Sequence, residues 1–179
     1  DRSPGCGRVL IHLEDSRRDI PFLLALGQLF RWADYRVVFS TRRTIRTLLG
    51  ALPLDAVIVS TAENIPCELY PELSLKTKIY ILPTEGAIFE EAILLTRYVG
   101  GDQPERWNRY LPFIHRFLLW GEHSRRTLLA TRLFRQERLS VVGAPRMDFF
   151  LVQPLPEETI LADPHLPGVI STFHLINSV

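Results

Sequence analysis

Six short apolar runs, separated by segments of helical pattern, constrain the fold more than any other feature of this chain. The runs occupy residues 9–13, 37–39, 56–59, 78–82, 113–120 and 139–142. Continuous apolar runs are typical of strands buried on both faces, and strands that alternate with helices form parallel sheets. The sequence therefore predicts an α/β fold with a Rossmann-like, doubly wound parallel sheet.

Four helices are predicted between these runs. They cover residues 21–32, a segment capped by Thr41 that extends to 49, a segment capped by Thr84 that extends to 96, and residues 124–134. A helix between successive strands is the connection that a parallel sheet requires.

Composition indicates a globular chain without a nucleic-acid partner. Hydrophobic residues make up 46% and charged residues 23% of the 179 residues, and the net charge is only +1. Residues 1–50 carry nine Arg against five acidic residues, and residues 121–146 carry six Arg against two. We interpret both stretches as solvated helix faces, and peripheral contact with an anionic membrane surface is the alternative.

The cysteines and the hydropathy pattern favour the cytoplasm. Cys6 and Cys67 lack CxxC spacing and neighbouring His, which indicates neither a zinc site nor a disulfide framework. No run reaches 18 apolar residues, and no signal peptide is recognisable.

The chain is expected to be a fragment of a larger protein, because it starts without Met and ends within an apolar run. Residues 1–152 are predicted to form the Rossmann-like domain. Four prolines between 153 and 167 indicate a linker, because proline interrupts helices. Residues 168–179 are predicted to be the start of a truncated carboxyl-terminal domain.

The turn after the first apolar run has no glycine-rich phosphate loop. The residues after Leu13 run Glu14-Asp15-Ser16-Arg17-Arg18-Asp19, so a nucleotide at this turn is disfavoured. Glu14 and Arg18 are candidate contacts for a polar, hydroxyl-rich ligand. A salt-bridge cluster of Arg18 with Glu14 or Asp19 is the structural alternative.

Two further carboxylates follow predicted strands. Glu85 and Gly86 come where the fourth strand leads into a helix, and Glu122 follows the fifth strand. A helix amino terminus stabilises a carboxylate, and Gly86 permits the close approach of a ligand. Simple helix capping is the alternative for Glu85. The five histidines are scattered without ligand spacing, which indicates no metal site.

The last strand ends in a turn that carries an Arg and an Asp. Gly143 tolerates a tight turn, Pro145 ends the strand ladder, and Arg146 offers a planar fork that suits a phosphate or carboxylate. Asp148 follows at the same end of the strand. Mutual pairing of Arg146 and Asp148 is the alternative.

Together these motifs resemble the amino-terminal half of the bacterial surface carbohydrate biosynthesis proteins, glycosyltransferases of the two-domain GT-B type. The resemblance is carried by Glu14, Arg18-Asp19 before Leu23-Leu24-Ala25, Thr84-Glu85-Gly86, Trp120-Gly121-Glu122 and Val142-Gly143-Ala144-Pro145-Arg146-Met147-Asp148. The stretch 170–177 is similar to the family's first strand after the linker, with Ser171 and Thr172 replacing part of its usual Asn-Thr-Asn-Phe pattern.

This resemblance implies an acceptor-side domain that contributes to sugar transfer from a nucleotide donor onto a polysaccharide or lipopolysaccharide acceptor. Glu85 is then the catalytic carboxylate. Glu14, Arg18 and Glu122 line the acceptor side, and Gly86 is a further substrate-binding position. Arg146 stabilises the donor phosphates or a substrate carboxylate, and Asp148 orients Arg146 or binds a sugar hydroxyl. The nucleotide sugar belongs mainly to the missing carboxyl-terminal domain, so this fragment is expected to bind no cofactor and to be inactive alone. The protein would act in the cytoplasm or at the inner face of the membrane.

Two other functions remain open from the sequence. A GT-B relative could instead be a sugar-nucleotide epimerase or a glycerophosphotransferase, which shares the architecture and acts on related substrates. A non-catalytic Rossmann-like binding domain is the alternative outside enzymes, because a fold does not determine a function.

Overall fold

The fold is built on a six-stranded sheet in which every strand is parallel to its neighbours. The structure is a computed structural model and describes residues 6–14, 16–84, 90–99 and 111–144, with backbone only at 16–18 and 97. The strands are β1 (Gly7–Leu13), β2 (Tyr35–Thr41), β3 (Ala56–Val59), β4 (Lys78–Ile81), β5 (Arg116–Leu119) and β6 (Leu139–Val141). The predicted α/β parallel sheet is confirmed.

Helices connect consecutive strands. They are α1 (Ser16–Trp32), α2 (Ile45–Ala51), α3 (Tyr70–Ser74), α4 (Glu91–Val99) and α5 (Glu122–Ala130). Short 3-10 turns occupy Ala62–Asn64, Cys67–Leu69, Leu111–Phe113 and Gln136–Arg138. None of the helices among these residues is long and apolar enough to cross a bilayer.

The strand order is β2-β1-β3-β4-β5-β6, so the chain reverses its direction of travel between β1 and β3. The chain first steps from β1 to β2 on one side, and every later strand is added on the other side. In open parallel sheets, ligands bind outside the carboxyl ends of the strands at such a reversal point. The fold therefore directs attention to the residues that follow β1 and β3.

The two faces of the sheet are covered unequally. On one face, Val9, Ile11 and Ile58 pack against Phe22 and Leu23 of α1, the only described helix in that cluster. The other face carries the larger core, to which α2, α3, α4 and α5 contribute Leu49, Tyr70, Leu94 and Leu128. This division follows from right-handed crossovers, because connections that step in opposite directions must pass over opposite faces.

Close packing of α1 against β2 requires a glycine. A Cβ at Gly27 would lie 2.7 Å from Cζ of Phe39 and 3.5 Å from Cγ1 of Val37. The helix tolerates Pro21 within its second turn, and it begins at Ser16, five residues before the predicted start. The predicted helix is therefore confirmed over 21–32, and the prediction missed residues 16–20.

Other predicted boundaries need correction. The helix predicted to be capped by Thr41 begins at Ile45, with Thr44 as its N-cap, while Thr41 ends β2. Thr84 does not cap α4, which begins at Glu91. The strand predicted over 113–120 is only Arg116–Leu119, because the apolar residues before it form a separate 3-10 turn. Apolar composition alone does not distinguish these two kinds of buried segment.

Candidate functional site

A polar contact joins the ends of β1 and β3 at the reversal point of the sheet. Ser60, which follows β3, donates its hydroxyl to Oε2 of Glu14, which follows β1, at 2.5 Å. Ser60 is 4% exposed, whereas Glu14 is exposed to solvent. The predicted site residue Glu14 therefore lies at the carboxyl edge of the sheet, with one carboxylate oxygen held and its side chain accessible.

Asn64 extends this contact along the 3-10 turn that follows β3. Its Oδ1 lies 2.8 Å from Oγ of Ser60 and accepts the backbone N–H of Thr61 at 2.9 Å. The turn is anchored from below by the fully buried Tyr70, whose hydroxyl donates to the carbonyl of Ala62 at 2.7 Å. Tyr70 therefore helps to position Asn64 without touching the site itself.

This group offers a ligand both hydrogen-bond acceptors and donors, on the carboxylate of Glu14 and the amide NH2 of Asn64. The Ser60 hydroxyl carries one proton, and both of its neighbouring oxygens, on Glu14 and Asn64, are acceptors. The N–H of Thr61 already donates to Asn64. A molecule rich in hydroxyl groups suits this combination, because each hydroxyl can both donate and accept a hydrogen bond. The carboxylate of Glu14 disfavours an anion at the same point.

A buried histidine lies close to this group. His12 of β1 is 4% exposed, and its Nδ1 lies 3.2 Å from Oγ of Ser40 in β2. Burial lowers the pKa of His12, although the negative charges of Glu14 and Asp19 act in the opposite direction. Burial thus favours the neutral ring, whose Nδ1 makes a hydrogen bond with the hydroxyl of Ser40.

Asp19 is a buried carboxyl group near His12. It belongs to the first turn of α1 and is completely buried. The free N–H groups of a helix amino terminus and their positive dipole end favour a carboxylate at such a position. Asp19, Glu14 and His12 thus concentrate titratable groups where β1 leads into α1.

Glu122 lies farther along the same edge. It is the first residue of α5 and pairs with Arg125 at 2.9 Å, between Oε2 and Nη2. Two strands lie between β1 and β5, which puts Glu122 roughly 14 Å from Glu14 at the usual strand spacing. The structure therefore does not bring these two predicted acceptor-side carboxylates together at one point.

The ends of β4 and β5 are joined by an indole contact. Nε1 of Trp120 donates to the carbonyl of Pro83 at 3.0 Å, and Thr84 beside it is 6% exposed. This contact fixes the place where the chain departs toward residues 85–89. Trp120 is thus a structural link between two strand ends.

Four predicted site residues lie outside the described part of the chain. These are Glu85, Gly86, Arg146 and Asp148, and the side chain of Arg18 also lies outside it. The turn before Arg146 is partly described: Gly143 has φ +82°, as its predicted role in a tight turn requires.

Sequence reasoning missed Ser60, Asn64 and Ser40 as members of the site. Ser60 had a visible signal, because it directly follows the apolar run 56–59. Its contact with Glu14 depends on β1 and β3 being neighbours, which no local pattern specifies. Asn64 and Ser40 carry no signal of their own.

No metal-binding cluster of three His, Cys, Asp or Glu occurs within the described ranges. Cys6 and Cys67 are free cysteines. The polar group at the reversal point thus consists of carboxyl, hydroxyl, amide and imidazole side chains.

Comparison with known proteins gives no relative from which a function could be transferred. No family model matches the chain, and neither the curated proteins nor the solved structures provide a match. The functional argument must therefore come from the geometry of the site.

Proposed function

We propose that this chain is the acceptor-side domain of a glycosyltransferase that builds a surface polysaccharide from a nucleotide-sugar donor. The observation that carries the proposal is the polar cluster that Glu14, Ser60 and Asn64 form at the reversal point. Sugar hydroxyls can donate to the carboxylate of Glu14 and accept from the amide NH2 of Asn64. The location supports it, because this is where open parallel sheets bind ligands.

The turn after β1 supports an acceptor rather than a donor at this site. It contains Glu14 and no glycine-rich loop, so it offers no cradle of backbone N–H groups for a pyrophosphate. The donor phosphates would then be held by another part of the protein, with Arg146 contributing from the end of β6. This division matches a cleft between two domains.

The chemistry requires a base for the acceptor hydroxyl in an inverting transfer, or a carboxylate nucleophile in a retaining one. Glu85 remains the proposed catalytic carboxylate, because it follows β4, next to β3 in the sheet. Glu14 binds an acceptor hydroxyl, Ser60 and Asn64 fix its orientation, and Gly86 leaves room for the sugar ring. Arg18, Glu122 and Asp148 are proposed as flanking contacts.

Acceptor binding is tested on the 179-residue chain with a panel of oligosaccharides in saturation-transfer NMR and calorimetry. Glu14→Gln keeps the shape and removes the charge, and it should weaken binding about tenfold, since a hydrogen bond to a charged group contributes about 1.5 kcal/mol. Glu63→Gln is the matched control, because Glu63 is an exposed carboxylate in the turn that carries Asn64. Equal losses in both variants would contradict a specific role for Glu14.

Transfer is tested with the natural full-length protein, a set of nucleotide sugars and product analysis by mass spectrometry. Glu85→Gln should abolish transfer and leave the circular dichroism spectrum unchanged. Wild-type turnover in this variant would remove Glu85 from the mechanism. If no donor is consumed by the wild-type protein while oligosaccharides still bind, the chain is a carbohydrate-binding domain and not part of a transferase.

A further inference from the structure

One face of the sheet is covered by α1 at β1 and β2. Over β4 and β5, the same face carries charged side chains as well as apolar ones. Because side chains alternate along a strand, Lys78 and Tyr80 of β4 lie on this face. Ile79 and Ile81 lie on the opposite face, in the larger core. In β5, Arg116 and Leu118 share this face, while Phe117 and Leu119 enter the core. Parallel strands are usually apolar on both faces. Lys78 and Arg116 are exposed, and α1 is the helix that packs on this face among the described residues.

A groove of about 880 Å³ runs over this face near the amino ends of the strands. Its floor is formed by Ile58, Tyr80 and Leu118, and Phe30 of α1 forms one wall. Small-molecule sites have volumes of roughly 300–1,000 Å³ and are lined mainly by apolar side chains with a few polar groups. The size and the apolar floor match a small ligand.

Two cations, Lys78 and Arg138, line the groove together with His115. Arg116 does not line the groove, but its charge also acts on His115. Desolvation and the positive charges of Lys78, Arg116 and Arg138 lower the pKa of His115. The edge of the Tyr80 ring approaches His115, with 5.3 Å between the ring centroids. The groove therefore combines positive charges with an aromatic floor.

Lys78, Arg116 and Arg138 are not paired with a carboxylate in the described part of the chain. Arg138 donates through Nη1 to the carbonyls of Leu111, Pro112 and Ile114 at 2.6, 3.0 and 3.1 Å, and Arg116 donates to Ser140 at 2.9 Å. For Lys78 no side-chain partner occurs among the same residues. Asp55 lines the groove as well, and its carboxylate accepts the backbone N–H of Arg8 at 2.7 Å.

We propose that this groove binds a small amphiphile, whose apolar body lies on Ile58, Tyr80 and Leu118 and whose carboxylate or phosphate group lies at Lys78 and Arg138. The groove suits such a ligand because its apolar floor adjoins positive charges that have no carboxylate partner among the described residues. The site is separate from the carboxyl edge and does not depend on the proposed transfer reaction. Fatty acids and long-chain alkyl phosphates share the required chemistry.

The test compares decanoate, decyl phosphate and the neutral decanol, each below its critical micelle concentration, by calorimetry and by ¹⁵N-NMR titration of the whole chain. Both anions should shift the amides around Tyr80, His115 and Leu118. The ratio of their affinities shows whether a carboxylate or a phosphate is the natural head group. Absence of binding at millimolar concentration, or shifts confined to other surfaces, would overturn the proposal.

Variants separate the head-group contact from general charge effects. Lys78→Gln should weaken anion binding about tenfold and leave decanol binding unchanged, because a charge-assisted hydrogen bond is lost. Arg126→Gln is the matched control, since Arg126 is an exposed cation of α5. If Arg126→Gln weakens the anions equally, attraction is nonspecific and the assigned head-group site is wrong. Circular dichroism checks that each variant is folded.

Discussion

Oγ of Ser60 lies 2.5 Å from Oε2 of Glu14, although the two residues are 46 positions apart in the chain. The contact exists because β3 is paired with β1, so that the residues following these strands meet at one edge. Among the predicted site carboxylates, Glu14 alone is placed at the reversal point by the described part of the structure. The contact links Glu14 to a hydroxyl that sequence analysis did not single out.

A double-mutant cycle measures this contact directly. We expect Glu14→Gln and Ser60→Ala to be coupled by about 1 kcal/mol in the free energy of unfolding, reduced from the value for a buried charged pair because Glu14 is exposed. Urea denaturation of the two single variants and the double variant gives the coupling. Strict additivity would show that the hydrogen bond does not persist in solution.

Tyr70 should matter for stability through its hydroxyl alone. Tyr70→Phe leaves the carbonyl of Ala62 without its side-chain donor, and we expect a loss of about 1–2 kcal/mol in the free energy of unfolding. Tyr35→Phe is the control, because the side chain of Tyr35 is 38% exposed. Denaturation midpoints of the two variants provide the comparison, and equal midpoints would contradict the role of the buried hydroxyl.

Stability should fall as the pH drops below about 6.5. The pKa of His12 is lowered in the folded state, mainly by burial, so the unfolded chain binds the proton more readily. The stabilising contribution is complete above the unfolded pKa and is lost as the pH falls toward the folded one. Glu14 and Asp19 face the ring and reduce the size of this effect.

Thermal unfolding from pH 7.5 to 5.0 measures how steeply the stability depends on pH. His12→Asn should reduce this pH dependence, whatever its effect on absolute stability. His115 has a pKa shifted in the same direction, so His115→Asn is made in parallel to separate the two contributions. An unchanged pH dependence of stability in His12→Asn would contradict the assignment of this effect to His12.

Two glycines form a matched pair for backbone strain. A Cβ would find open space at both Gly143 and Gly121, but only Gly143 has a positive φ, of +82°. Gly143→Ala should therefore lower the free energy of unfolding by about 1 kcal/mol, while Gly121→Ala should change it little. Chemical denaturation of both variants tests this, and a similar response at both sites would show that the left-handed turn is not maintained.

The aromatic cluster around Phe117 should carry much of the stability of the larger core. Phe117 is 1% exposed and makes edge contacts with Tyr98 and Phe134 at centroid distances of 6.2 and 5.0 Å. Phe117→Ala should cost about 3–5 kcal/mol in the free energy of unfolding. Leu75→Ala, at a side chain that is 84% exposed, should change it by less than about 0.5 kcal/mol. Urea titration distinguishes the two.

The fold class could be predicted because each strand carries its own signal. Residues 56–59 form an uninterrupted apolar run bounded by Asp55 and Ser60, and β3 has those limits. The run 113–120 misled, because Phe113 and Ile114 are apolar for packing reasons outside the strand. Local patterns thus identify buried segments more reliably than they identify the backbone conformation of those segments.

The candidate site was predictable only in part. Glu14 could be found, because a charged residue directly after a buried strand must lie at the sheet edge. Ser60 and Asn64 could not be assigned to it, because their meeting depends on strand order. Glu85, the predicted catalytic residue, lies outside the described residues and stays a prediction.

The order in which the strands join has a consequence for biosynthesis on the ribosome. Apart from β1, every strand attaches to an edge that an earlier strand has already left free, so none has to insert between two formed neighbours. The sheet can therefore grow in the direction of translation, and we expect the emerging chain to acquire protease resistance stepwise, one crossover at a time.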